Sequence, residues 1–153
     1  MHLALFALLI GIIAGLRAFM APTAVSWAAK LGLLALTGTH LAFLGYAWTP
    51  YIFSAFAAFE LVTDQLPSTP SRKVAPQFAA RIIMGSLAGA AIGAGLGSLW
   101  VGLVCGAIGA VVGTLGGATV RGKLAAAFGK DLPAALIEDA VAIVGSYLIV
   151  THL

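Results

Sequence analysis

The chain has 153 residues, of which 61% are hydrophobic and only 8% charged. A soluble domain carries roughly 25% charged residues, and a mean hydropathy of +1.09 points the same way, so a water-soluble enzyme is excluded. The eight cations are scattered and make no phosphate-tracking stripe, so the pI of 9.4 does not imply a nucleic-acid partner.

A membrane span needs about 20 apolar residues. Five stretches meet or approach that length, at 3–31, 41–62, 78–100, 101–120 and 133–153. Together they predict one domain over 1–153, an all-α polytopic transmembrane bundle of about five spans. No alternation of apolar and polar residues is sustained, which argues against a barrel. The first stretch lacks a basic n-region and runs on past Arg17, so it reads as a span and not as a cleaved leader. It also contains Pro22, and splitting it there gives two short helices in place of one. Pro133, with Asp131 before it as a cap, marks the start of the last helix.

With five spans, the N-terminus shares a side with the 64–77 loop and the 121–132 connector. That side holds Arg72, Lys73, Arg81, Arg121, Lys123 and Lys130, against Lys30 on the other. The bias predicts a cytoplasmic N-terminus and an inner-membrane, multi-pass protein. Trp27, Trp48, Trp100, Tyr46 and Tyr51 fall toward the expected outer ends, as an aromatic belt does. His2, His40 and His152 have no metal-ligand spacing. Cys105 is alone, so neither a disulfide nor a metal site is expected.

Gly85, Gly89, Gly93 and Gly97 recur every four residues and predict a glycine-zipper face. That face serves either packing within the chain or a homo-oligomer seam. Gly11-Ile-Ile-Ala-Gly15 parallels Gly109-Ala-Val-Val-Gly113, and Glu60 and Glu138 occupy matching later spans. These matches are the pattern of an inverted repeat with a broken first helix.

Ionisable residues in spans are costly and default to functional candidates. Glu60 and Asp64 stand at i, i+4 on one helix face. Glu138 and Asp139 begin the last span at the same expected depth. Arg17 lies inside the first stretch, with Glu60 as its obvious partner; either the first span breaks and re-enters so that the two meet, or they stay apart and Arg17 snorkels or caps freed carbonyls. These five residues line an ion or solute pathway, or they are helix-end groups paired with loop cations. The Pro67-Ser-Thr-Pro-Ser-Arg72-Lys73 segment reads as a rigid turn, or as an anion or lipid-headgroup site through Arg72 and Lys73. No catalytic or cofactor-binding constellation is present. The leading expectation is a small transporter or channel for a cation, proton or small solute. The alternative is a non-transporting scaffold that grips a larger complex through its glycine faces.

Three blocks carry a family resemblance: Ala14-Gly-Leu-Arg17-Ala-Phe-Met-Ala-Pro22, then Glu60-Leu-Val-Thr-Asp64-Gln-Leu-Pro67-Ser-Thr-Pro70-Ser-Arg72, then Asp131-Leu-Pro133-Ala-Ala-Leu-Ile-Glu138-Asp139. In that order, they resemble a family of small bacterial integral membrane proteins of unknown function with a Glu-x-x-x-Asp-x-x-Pro-x-x-Pro-x-Arg signature. The resemblance spans nearly the whole chain. It implies that Arg17, Glu60, Asp64, Arg72, Glu138 and Asp139 belong to one shared design.

Overall fold

The computed structural model describes residues 1–66 and 71–153. In chain order the α-helices are α1 (His2–Leu16), α2 (Met20–Lys30), α3 (Thr49–Thr63), α4 (Ala75–Leu96), α5 (Leu99–Phe128) and α6 (Asp131–Thr151). One 3-10 turn (Ala42–Gly45) lies in the 31–48 link. Among the described residues every proline inside a helix sits in its first turn: Pro22 in α2, Pro50 in α3, Pro76 in α4 and Pro133 in α6. There the amide has no intrahelical acceptor, so losing it costs nothing. Gly97 and Gly129 end α4 and α5 with φ of 113° and 69°, a left-handed turn that glycine makes without a Cβ clash.

Three helices, α4, α5 and α6, are long and apolar enough to cross a membrane. Large apolar side chains stand exposed on the outer faces of the bundle, among them Ile52, Phe56, Val104, Ile108, Val141 and Leu148. An apolar exterior of this extent fits a lipid solvent. The first expected span is two short helices, and the second is α-helical only over the 15 residues of α3. The 121–132 connector is an extension of α5 as far as Phe128.

Contacts fix the helix directions. Along α1 and α5 the touching pairs rise together, Gly11 with Gly106 and Gly15 with Thr114. Between α1 and α6 they run oppositely, Ile13 meeting Gly145 and Arg17 meeting Asp139. Phe19 stacks on Phe56 and Trp27 meets Tyr51 edge to face, so α2 and α3 are antiparallel. The tip of α2 lies by Glu60, whereas Leu34, just beyond its other end, reaches Gly95 near the far end of α4. The chain therefore doubles back between α1 and α2, and all six helices alternate in direction.

This fold-back corrects two expectations. Met1 lies at the opposite end of the bundle from Asp64, Arg72 and Gly129, together with the C-terminus. The N-terminus thus does not share a side with the basic links, because the broken first stretch adds a reversal that a continuous span lacks. The glycine-matched helices α1 and α5 run parallel, so the Gly11–Gly15 and Gly109–Gly113 match does not relate inverted halves.

The centre of the bundle is α1 laid against α4 and α5 at backbone contact. A methyl group built on Gly11 would overlap the Gly106 carbonyl, and one on Gly89 would overlap the Gly102 carbonyl. Gly93, Gly109 and Gly113 are equally crowded by backbone, and Gly85 meets the Ala110 side chain. In lipid, dispersion contact at such close range is a main source of helix association. Gly97 is not part of this contact: it is the α4 turn residue, with open space where a Cβ would stand.

Candidate functional site at the hairpin tip

The α1–α2 reversal is built on Arg17, whose backbone is extended (φ −141°, ψ 110°). The break strands carbonyls at the end of α1 and amides at the start of α2. Each set has a dedicated partner. Arg81 of α4 donates Nη1 to the Gly15 and Leu16 carbonyls at 2.9 and 2.7 Å. Glu60 of α3 accepts the Ala18 and Phe19 amides at 2.7 and 2.9 Å. A positive group thus meets a helix C-terminus and a negative one a helix N-terminus, as the macrodipole favours.

The Arg17 side chain is 0% exposed. Its Nε donates to Asp139 Oδ1 at 2.6 Å and its Nη1 to Asp64 Oδ2 at 2.7 Å, with Glu138 at 3.5 Å. Asp64 also receives Arg81 at 3.4 Å, and Asp139 receives Gln65 at 3.1 Å. Arg72 turns in from the loop and binds Glu138 through both terminal nitrogens, Nη2 to Oε2 at 2.8 Å. Arg121 of α5 closes the network, with 3.2 Å to Glu138, 3.1 Å to the Asp64 carbonyl, and a bidentate pair to Asp131 at 3.0 and 2.7 Å.

All four arginines and all five carboxylates of the chain lie in this one network. The four lysines lie outside it. In a medium of low dielectric an unpaired charge is prohibitive, and paired, hydrogen-bonded charge is tolerated. Arginine suits the task because its planar fork serves several acceptors at once. The tally leaves five negative groups against four positive ones. Glu60 is the carboxylate least served by arginine, its only guanidinium contact being Arg81 at 3.8 Å.

The residues singled out from sequence separate cleanly. Arg17, Glu60, Asp64, Arg72, Glu138 and Asp139 meet at one depth. Lys73 is exposed and stays apart. Glu60 is not the ion-pair partner of Arg17; it holds the backbone just after it. Asp131 does not cap α6 but begins it, and its carboxylate goes to Arg121. Arg72 is engaged by Glu138, which leaves its guanidinium committed and not open to a headgroup. The 67–70 part of that loop lies outside the described residues. Arg81 and Arg121 are members that sequence reasoning missed as site residues. Their signal was that each stands within an apolar helix, where a cation needs a partner.

Beside the network a crevice of 440 Å³ lies between the α1–α2 turn, α3 and the start of α4. Glu60, Asp64 and Gln77 give it polar groups, and Phe19, Phe56 and Phe59 give it an aromatic wall. At the opposite end of the bundle, Lys30 lies 4.3 Å from the Tyr51 ring and 5.3 Å from that of Trp27, with its ammonium on the Ala47 carbonyl at 3.1 Å. Comparison with family models, with curated proteins and with solved structures finds no match.

Proposed function

We propose that the protein is a small membrane transporter in which the α1–α2 hairpin is the moving part and the arginine–carboxylate network is its latch. The observation that carries this reading is the capping of the hairpin tip by Glu60, a carboxylate that also lines an open crevice. A cation or proton arriving in the crevice competes for the carboxylate that holds the Ala18 and Phe19 amides. Neutralising Glu60 weakens both bonds and frees the tip, so occupancy and gate position are linked.

In this reading the protein lies in a bacterial inner membrane and belongs with the small membrane family it resembles. The charged end faces the cytoplasm, since Arg72, Lys73, Arg81, Arg121, Lys123 and Lys130 lie toward it and Lys30 toward the other. Both termini then face outward. The chain is taken to work as a homo-oligomer. The scaffold alternative is weaker, because the glycines that would grip a partner are already in contact with one another inside the bundle.

The test is flux in proteoliposomes loaded with a pH-reporting dye. The protein should carry protons or a coupled cation, and Glu60→Gln should cut that flux at least tenfold with helix content unchanged. Equal flux in the variant ends this reading.

A further inference from the structure

The crevice has a specific composition. Its volume of 440 Å³ falls within the range of small-molecule sites, roughly 300–1,000 Å³. Three of its ten lining residues are phenylalanines, and Glu60 and Asp64 are its two carboxylates. Phe19 and Phe56 are stacked with centroids 5.1 Å apart, whereas Phe59 is 68% exposed and in no ring pair among the described residues. A purely structural carboxylate needs no aromatic wall. An inorganic cation gains little from three phenyl rings beside so few oxygen ligands. A cation with apolar substituents uses both parts, the rings through cation–π and dispersion contact and the carboxylates through charge.

The charge tally selects the same ligand. Five carboxylates against four arginines leave room for one positive charge, and the shortfall falls at Glu60, on the crevice wall. An anion in the crevice would face the Glu60 and Asp64 carboxylates, with no cation among the described lining residues. Phe56 and Phe59 of the lining are themselves exposed on the apolar outer face of α3, which gives a lipophilic molecule a route from the bilayer.

We infer that the Phe19–Phe56–Phe59–Glu60 crevice binds a monovalent lipophilic organic cation. This deepens the transport reading and rests on it for its physiological sense, but binding is measurable without flux. The probe is tetraphenylphosphonium, titrated by equilibrium dialysis onto purified protein in micelles, with tetraphenylborate as the anion of matched shape. Saturable binding of the cation is expected, at least tenfold tighter than the anion. Phe59→Ala should weaken it by about fivefold, the scale of a lost cation–π contact, without altering the melting temperature. Glu60→Gln should weaken it further. The same titration on Trp100→Ala, at the opposite end, should match the unaltered protein.

Non-saturable uptake, equal binding of tetraphenylborate, or unchanged affinity in Phe59→Ala would each overturn the inference. Proton flux without tetraphenylphosphonium binding overturns it too, while leaving the transport reading standing. Saturable binding in a protein that shows no flux supports the site and removes the transport reading.

Discussion

Arg17 and Asp139 are 122 positions apart in the chain and joined at 2.6 Å in the fold. Their bond ties the tip of the first hairpin to the first turns of the last helix. Arg17→Ala would leave Asp139 and Asp64 without their shortest partner, deep inside the bundle. Breaking one side of a buried pair costs about 3–5 kcal/mol, so a large fall in melting temperature and yield is expected. Arg17→Lys should rescue little, since one ammonium cannot reproduce the fork that reaches both carboxylates. Thermal unfolding in micelles checks this; a lysine variant as stable as the parent would mean that charge alone suffices.

Glu60 holds two backbone amides, and hydrogen exchange reads them directly. Hydrogen bonds to a charged acceptor contribute about 1.5–3 kcal/mol each. Glu60→Ala should therefore speed exchange at Ala18 and Phe19 by at least tenfold, with the amides of α5 unaffected. Glu60→Gln keeps a neutral oxygen in place and should fall between the two. Unchanged exchange at the tip in the alanine variant would show that Glu60 does not secure the reversal.

The glycines divide into crowded and open positions, and substitution should follow that division. Gly89→Ala sets a methyl group onto the Gly102 carbonyl, an overpacking expected to cost about 1–3 kcal/mol. Gly116 is helical with nothing near its absent Cβ, and Gly116→Ala should be neutral or slightly stabilising. Gly97→Ala should destabilise by about 1–2 kcal/mol for a different reason, its left-handed φ. Denaturation of the three variants side by side separates contact from conformation.

The sequence made the helices easier to read than their directions. Pro133 marks a helix start because a proline is tolerated in the first turn; Pro50 and Pro76 begin α3 and α4 in the same way, but Pro50 lies within an apolar run and Pro76 within a proline-rich loop, where neither announces a helix. Hydropathy, by contrast, is blind to direction: an apolar run at 3–31 looks alike whether the chain continues or doubles back. Arg17 and Pro22 marked the break but not its angle, which depends on Arg81 and Glu60 arriving from other helices. Arg72 and Lys73 are neighbours of like charge, and nothing local tells which turns inward. The guanidinium does, because Glu138 offers it two oxygens. Arg81 was counted with the loop charges, since it stands only six residues into α4.

The alternation of six helices makes a sharp prediction about sidedness. α1 runs toward the ionic network and α2 runs away from it, so each later helix is reversed relative to a five-span chain. Single cysteines at His2, His152 and Lys123, placed in a Cys105→Ala background, report this through labelling by a membrane-impermeant maleimide in intact cells and in inverted vesicles. The first two should react from one side and the third from the other. With the basic end cytoplasmic, the labelled pair in intact cells is His2→Cys and His152→Cys. Labelling of His2→Cys and His152→Cys from opposite sides would restore an odd number of crossings. It would also detach Arg17 from Asp64 and Asp139, because a first helix that does not turn back cannot bring its arginine to their depth.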